Sequence, residues 1–112
     1  MPKSKKTITV PSNISFLYKT VDILPEYLEK ILDGSKKLEF RSWYSEAPYF
    51  LLKNTKTKKV EAVIRIAHVL DMDNLDEESK ETVLDEGKVS EEFREKYNCK
   101  YCYMIDKIHR IH

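Results

Sequence analysis

The spacing of apolar residues changes sharply at Gly34, and the change predicts a helix followed by a strand. Ahead of this glycine, apolar side chains recur at helical intervals, which predicts a helix that is entered at Thr20 or Asp22 and runs to about Asp33. Pro25 suits the first turn of such a helix, and Gly34 stands where a left-handed cap would end it. After Gly34 the apolar period becomes two, which is the period of a strand.

The two faces of this predicted strand, from Leu38 to Trp43, differ in chemistry. Leu38 and Phe40 point to one face. Glu39, Arg41 and Trp43 share the other. An acid, a guanidinium and an indole on one face could hold an anionic or aromatic ligand. The alternative is that they form only the solvated face of the strand.

Four further strands are predicted from alternating apolar and polar positions. They run from Ile14 to Tyr18, from Tyr49 to Lys53, from Val60 to Leu70 and from Tyr101 to about Ile111, and a lysine-rich hairpin loop covers residues 54–59. The strand from Val60 becomes apolar on both faces toward its end, which is typical of a small closed barrel covered by a helix. A single core is predicted to contain Leu38, Phe40, Ile64, Ile66, Tyr103 and Ile105.

The stretch from residue 71 to residue 97 is acidic and has few apolar positions. It predicts a surface helix up to Glu86 with Asp73 or Asn74 as its cap and, after a glycine, a second short helix capped by Ser90. We expect its acids to be solvated. The same surface is a candidate for contact with a partner protein.

Length and charge narrow the class of protein. A chain of 112 residues makes one domain, and a net charge of +1 argues against a general nucleic-acid coat protein. Residues 1–70 hold 13 Lys and Arg against 7 Asp and Glu, a net charge of +6, whereas residues 71–112 hold 7 against 12, a net charge of −5. This asymmetry indicates either a phosphate-attracting side or an acidic helix pair that covers part of a neutral barrel.

No apolar run is long enough to span a membrane, and the basic residues 1–13 lack the apolar block of a secretory signal. We therefore expect residues 1–13 to be flexible, and we expect an intracellular, cytoplasmic protein with no membrane partner. The sequence does not predict the oligomeric state.

Two cysteines have the Cys-x-x-Cys spacing, at Cys99 and Cys102. The gap to His109 is too short for a zinc finger, and the pair enters a predicted strand instead of beginning a helix, as a reactive pair would. Two reduced structural thiols are therefore expected, with no metal and no cofactor.

The residues from Gly34 onward also form a family motif. The pattern Gly34-x-Lys36-x-x-Glu39-x-Arg41 resembles the signature of the ASCH domain, a branch of the PUA-like superfamily. The resemblance also takes in the preceding helix and the tyrosine-rich last strand. It implies an α+β fold over residues 14–112: a small PUA-like β-barrel with a helix beside the barrel mouth and acidic helices before the last strand.

The resemblance implies that the domain binds RNA or a modified nucleoside or nucleotide in a cleft at the barrel mouth. In that case Lys36 could contact phosphate or, if desolvated beside Arg41, lose enough basicity to act as a proton shuttle. Glu39 could accept a hydrogen bond from an exocyclic amine or hold Arg41 in place. Aromatic side chains after the motif are natural stacking platforms for a base. The candidate ligand-binding residues are Gly34, Lys36, Lys37, Glu39, Arg41, Trp43 and Tyr44. The lysines of the loop at residues 54–59 are expected to matter less.

Two alternatives of other classes stay open. One bacterial branch of this fold removes an acyl group from N4-modified cytidine with a Lys, a Thr and a Glu, so the chain could be a nucleoside amidohydrolase, or a ribonuclease, with Lys36 and Glu39 as catalytic residues. Glu39 stands where that branch has its Thr, and its negative charge is expected to raise the pKa of Lys36. The second alternative is a protein-interaction adaptor that uses residues 71–97.

Overall fold

One five-stranded sheet organises residues 17–111, which are the residues that the computed structural model describes. The elements follow in the order β1 (Tyr18–Ile23), α1 (Pro25–Leu32), β2 (Leu38–Arg41), β3 (Tyr49–Asn54), β4 (Val60–Asp71), a 3-10 helix (Met72–Asn74), α2 (Glu77–Glu86), α3 (Glu91–Lys96) and β5 (Tyr101–Arg110). This confirms the α+β class and the two acidic helices before the last strand.

The sheet is mixed and open at its edges. Its strand order is β1-β3-β4-β5-β2, with β1 parallel to β3 and every other pair antiparallel. The sheet curls into a half-barrel, which confirms the small barrel-like fold. Within the described residues β1 and β2 are its two edges and do not pair with each other, so the barrel is open along one side.

The entry into the first helix differs from the prediction. Thr20 and Asp22 are the exposed positions of β1, and the residues that alternate with them face the core. The helix begins only after this strand, at Pro25. Its N-cap is Leu24, which makes no side-chain cap. Polar residues that alternate on a strand therefore resembled helix caps. The predicted flexible segment 1–13 and most of the predicted strand 14–18 lie outside the described residues.

The long strand β4 matches its predicted start and extends to Asp71. Its pairing register with β5 shifts between Arg65 and Ile66 and again between Ile66 and His68, and Ala67 and His68 are exposed. The expectation that its end is buried on both faces is therefore wrong. Such bulges turn side chains out of the regular alternation.

The apolar side chains form two clusters instead of the single predicted core. Ile64, Tyr103 and Ile105 belong to the cluster beneath α1, and Ile66 packs against it. Leu38 and Phe40 belong to a second cluster, which also contains residues of α2 and the buried Cys102. Consecutive residues of β5 point to opposite faces of the sheet, so Cys102 and its neighbour Tyr103 serve different clusters.

The first acidic helix begins later than predicted, and the second begins as predicted. The side chain of Asp76 accepts a hydrogen bond from Ser79 N at 2.7 Å and caps α2, whereas Asp73 and Asn74 lie in the preceding 3-10 turn. Ser90 caps α3 as predicted, and its hydroxyl accepts from Phe93 N. Between residues 17 and 111 no helix is both long and apolar enough to cross a membrane.

Candidate functional site

A cleft of about 300 Å³ lies between the two edge strands, β1 and β2, and the segment that contains α3. Three residues of the predicted strand face line it: Glu39, Arg41 and Trp43. A second wall is aromatic and consists of Tyr27, Phe93 and Tyr97. The Tyr27 and Phe93 rings meet edge to face at 5.5 Å, and the Phe93 and Tyr97 centroids lie 4.6 Å apart.

Arg41 joins the two open edges of the half-barrel. Its Nη2 donates to the carbonyl oxygen of Asp22 in β1 at 2.8 Å and to Oε2 of Glu39 in β2 at 2.9 Å. Its Nε is buried and has no hydrogen-bond partner in the described structure. A guanidinium has five N–H donors, so Arg41 is fixed in position while part of its donor capacity stays unused.

Glu39 is buried, with only 5% of its surface exposed. Its Oε1 accepts from Phe40 N at 3.2 Å, and its Oε2 accepts from Arg41. Glu39 pairs with Tyr103 across the β2–β5 ladder and so shares the inner face of the sheet. The interpretation of this face as merely solvated is therefore wrong at Glu39.

Lys36 lies behind the cleft, 4% exposed, and not in its lining. Its Nζ donates to the carbonyl oxygen of Gly87 at 3.1 Å, and Lys36 and Glu39 both line a small pocket of about 10 Å³ beside the cleft. Burial lowers the pKa of Lys36, and the nearby charge of Glu39 opposes that shift without reversing it. The charge of Glu39 raises the pKa of Lys36 as expected, but the net shift is downward because desolvation is the larger effect.

Trp43 and Tyr44 follow β2 and point to different places. The Trp43 ring packs on Phe50 and Tyr103, with centroids 5.8 and 5.6 Å away, while Lys19 Nζ lies 4.7 Å from its centroid. Trp43 is therefore a fixed wall of the cleft. Tyr44 is 55% exposed, contacts Tyr101 and does not line the cleft.

Gly34 and Lys37 also lie outside the cleft lining. Gly34 has a φ of +85°, so it ends α1 in the left-handed conformation that glycine adopts without strain. The backbone N–H of Lys36 then donates to the carbonyl of Lys30 at 3.0 Å, which starts the turn into β2. Lys37 is exposed, and its carbonyl accepts from Ile105 N. These residues shape the approach to β2.

Several cleft residues were not identified from the sequence. Tyr27 and Phe93 lie within the predicted helices, Asp22 stood only as a possible helix entry, and Thr55 and Asn98 gave no signal. They come from four separate segments that the sheet brings together, and periodicity within one segment does not report such contacts. The spacing of Phe93 and Tyr97 was the one local indication of an aromatic pair.

The two cysteines do not take part in the cleft. Burial raises the pKa of Cys99, and it raises the pKa of Cys102 to about 12, so both thiols stay protonated at neutral pH. Residues 17–111 contain no group of three or more His, Cys, Asp or Glu side chains that could hold a metal ion.

The half-barrel has the architecture of an ASCH domain. A sequence model of the family described as ASCH domain matches residues 21–112, and the chain belongs to that family. No curated protein matches the sequence.

Solved structures with the same architecture come from Zymomonas mobilis. Its ASCH protein is 16% identical and superposes with a TM-score of 0.68, covering 86% of this chain and 71% of that one. One point mutant of that protein superposes with a TM-score of 0.66 at 16% identity, covering 86% of this chain and 73% of the mutant chain. A second point mutant superposes with a TM-score of 0.65 at 16% identity, covering 87% of this chain and 72% of the mutant chain. At this identity the likeness shows the fold alone.

Proposed function

We propose that this ASCH domain binds single-stranded RNA, or a modified nucleotide, by taking one base into the cleft lined by Glu39, Arg41 and Trp43. Membership of a family that is generally thought to bind RNA supports the class of ligand. The observation that carries the proposal is the state of Arg41, which lines the cleft, is held by two hydrogen bonds from Nη2, and makes no other side-chain hydrogen bond within the described residues. The guanidinium has five N–H donors, so it is fixed in position and keeps donor capacity for an acceptor on a ligand.

The size and walls of the cleft support a base more than a larger group. Its volume of about 300 Å³ is at the lower end of the range for small-molecule pockets. The rings of Tyr27, Phe93 and Tyr97 offer apolar area on one side, and bases stack on aromatic rings in single-stranded recognition. A base carries acceptors for Arg41 and, where it has an amino group, a donor for the carboxylate of Glu39.

The charges in the cleft also favour an uncharged group there. The lining contains one guanidinium, that of Arg41, and the carboxylates of Asp22 and Glu39. A phosphate inside would meet more negative than positive charge. We therefore expect few phosphate contacts within the cleft and an overall RNA affinity that is micromolar or weaker, on the order of non-specific binding.

Fluorescence anisotropy with a short labelled single-stranded RNA tests the proposal. Arg41→Lys keeps the positive charge but loses the planar fork, and we expect affinity to fall by about 10- to 100-fold, since hydrogen bonds to charged groups contribute about 1.5–3 kcal/mol. Arg65→Lys is the matched control, because Arg65 also pairs with a carboxylate, that of Asp106, but lies outside the cleft. Equal affinities for the two variants would contradict the proposal.

Glu39 should act with Arg41 as one unit. If Glu39 only holds Arg41, the double variant Glu39→Gln/Arg41→Lys should lose little more affinity than Arg41→Lys alone. Fully additive losses would mean that each residue contacts the ligand independently. Circular dichroism and thermal melting of each variant show whether the fold is kept.

Hydrolysis has less support in the geometry than binding. Lys36 is buried behind the cleft with Nζ on Gly87, so a substrate in the cleft does not reach it without rearrangement. Amidohydrolase or ribonuclease activity, and an adaptor role for residues 71–97, stay predictions from the sequence. Incubation with N4-acylated cytidines and short RNAs tests the first, since turnover that vanishes in both Lys36→Ala and Glu39→Gln would replace the binding proposal.

A further inference from the structure

The loop between β3 and β4, residues 55–59, begins in the wall of the cleft. Thr55 lines the cleft, and its N–H donates at 3.0 Å to the carbonyl of Ile23, which also lines it. The four residues after Thr55 are exposed, and three of them are lysines: Lys56, Lys58 and Lys59. The sequence favoured the motif over these lysines, but the loop that carries them begins in the wall of the cleft.

The loop is held in one conformation by its own hydrogen bonds. The side-chain oxygen of Asn54, a residue that is 8% exposed, accepts from Lys56 N at 2.8 Å and from Thr57 N at 3.3 Å. The N–H of Lys58 donates to the Asn54 carbonyl at 2.8 Å, and Asn54 N donates to Lys59 O at 2.9 Å. Such a loop presents its side chains without first having to be ordered, which lowers the entropy cost of binding.

Lys58 adopts a backbone conformation that lysine rarely takes. Its φ is +64°, in the left-handed region where glycine and asparagine are favoured. Glycine would remove the steric strain but would also remove the charge. A strained residue in an ordered loop beside a cleft is consistent with a charge that is used in binding.

The charge of this loop is available to a ligand. Within residues 17–111 none of Lys56, Lys58 and Lys59 forms an ion pair. The neighbouring acid is Glu61, whose carboxylate accepts from the Thr57 hydroxyl. The cleft lining offers two carboxylates and one guanidinium group, so it gives little attraction to the phosphates of a strand whose base enters it.

We infer that Lys56, Lys58 and Lys59 bind the phosphates of an RNA strand whose base occupies the cleft. The inference rests on the proposed function. The strand leaves the cleft at Thr55 and passes over the loop, so that the cleft contacts a base and the loop contacts the backbone. Phosphate contacts carry the salt dependence of binding, whereas contacts to a base do not.

The salt dependence of RNA binding therefore tests the inference. The variant Lys56→Gln/Lys58→Gln/Lys59→Gln should reduce the slope of log affinity against log salt by about 2, since each phosphate neutralised on a single strand contributes about 0.7. Between about 50 and 200 mM salt the wild type should then lose roughly 20-fold more affinity than the variant. The charge-matched control replaces three lysines outside the loop and the cleft lining: Lys30, Lys80 and Lys107.

The outcomes separate this inference from the proposed function. If Arg41→Lys weakens binding but the loop variant keeps the slope of the charge-matched control, the cleft binds RNA and the inference about the loop is wrong. If the wild type binds no RNA, both are wrong. Lys58→Gly gives a second readout, because it should raise Tm by relieving strain while it lowers affinity and the salt slope. A Lys58→Gly variant with unchanged affinity and slope would exclude Lys58 from the phosphate contact.

Discussion

Replacing Lys36 by methionine removes a buried ammonium and keeps an unbranched side chain of similar length. In the structure the Lys36 Nζ has one hydrogen-bond partner, Gly87 O at 3.1 Å. The remaining surroundings include the rings of Tyr27 and Phe40, whose centroids lie 5.7 and 5.6 Å from Nζ. The carboxylate of Glu39 is close enough to oppose the lowering of the Lys36 pKa, but burial has the larger effect.

The direction of the shift fixes how stability depends on pH. Below the lowered folded-state pKa, Lys36 is charged in both the folded and the unfolded chain, and the folded state bears the full cost of burying the charge. As the pH rises through that pKa the folded protein releases the proton while the unfolded chain keeps it, so the free energy of unfolding increases. The free energy of unfolding stops increasing at about pH 10.5, the ordinary pKa of lysine, because above it the unfolded chain also releases the proton.

The free energies of unfolding of the wild type and Lys36→Met therefore differ by two contributions that depend differently on pH. Loss of the partner of Gly87 O costs the variant about 1–3 kcal/mol at every pH. The charge-burial cost is present only in the wild type, amounts to about 1.4 kcal/mol for each tenfold weakening of proton binding, and fades as the pH rises. The wild type should therefore gain stability relative to the variant from neutral to alkaline pH.

Urea unfolding of both proteins, followed by tryptophan fluorescence, measures the difference at about pH 7 and about pH 9.5. Lys37→Met is the control, since Lys37 is the exposed neighbour in sequence. If the stability of the wild type relative to Lys36→Met stays constant or falls as the pH rises, the assignment of Lys36 as a desolvated amine is refuted.

Three further predictions concern stability alone. Gly87→Ala should destabilise the fold by about 1–3 kcal/mol, because an added Cβ would lie 2.3 Å from a ring carbon of Phe40; an unchanged urea midpoint would contradict this contact. Tyr103→Phe should cost about 1–3 kcal/mol, since the buried hydroxyl donates to one backbone carbonyl at 2.7 Å and accepts from one backbone N–H at 2.9 Å; near-neutral melting would exclude that role. Ile64→Ala should cost about 2–4 kcal/mol by calorimetry or urea unfolding, because Ile64 is fully buried in β4, and a loss well below 1 kcal/mol would mean that the site is not part of the core.

Local patterns predicted the parts of the fold that depend on a few consecutive residues. The helix end at Gly34, the strand at β2, the Ser90 cap and the extents of β3 and β5 follow from period, caps and turn chemistry within short windows. The start of α1 did not, because Leu24 makes no side-chain cap and the polar residues before it belong to a strand. A cap residue and a solvated strand position have the same side-chain chemistry.

Sequence reasoning predicted only part of the candidate site. The alternation of β2 placed Glu39 and Arg41 on one face, and the structure has both in the cleft. Which cluster a residue joins depends on the pairing partner of its strand, and so the separation of Phe40 from Tyr103 was not visible. Thr55 reaches the cleft because β1 and β3 are parallel neighbours, which is a tertiary fact with no local signature.

The position of Arg41 explains why fold and binding cannot be tested with one variant there. Its Nη2 connects Asp22 of β1 to Glu39 of β2. Removing the side chain therefore breaks the link between the two edges of the half-barrel and also removes any contact to a ligand. Arg41→Ala should therefore lower both Tm and affinity, whatever the ligand contacts. Arg41→Lys retains the charge and can keep one of the two hydrogen bonds, so a loss of affinity at nearly unchanged Tm isolates the recognition by the planar guanidinium. If affinity falls only in step with Tm across both variants, Arg41 acts through the fold, and the base contact must be sought among the aromatic residues of the opposite wall.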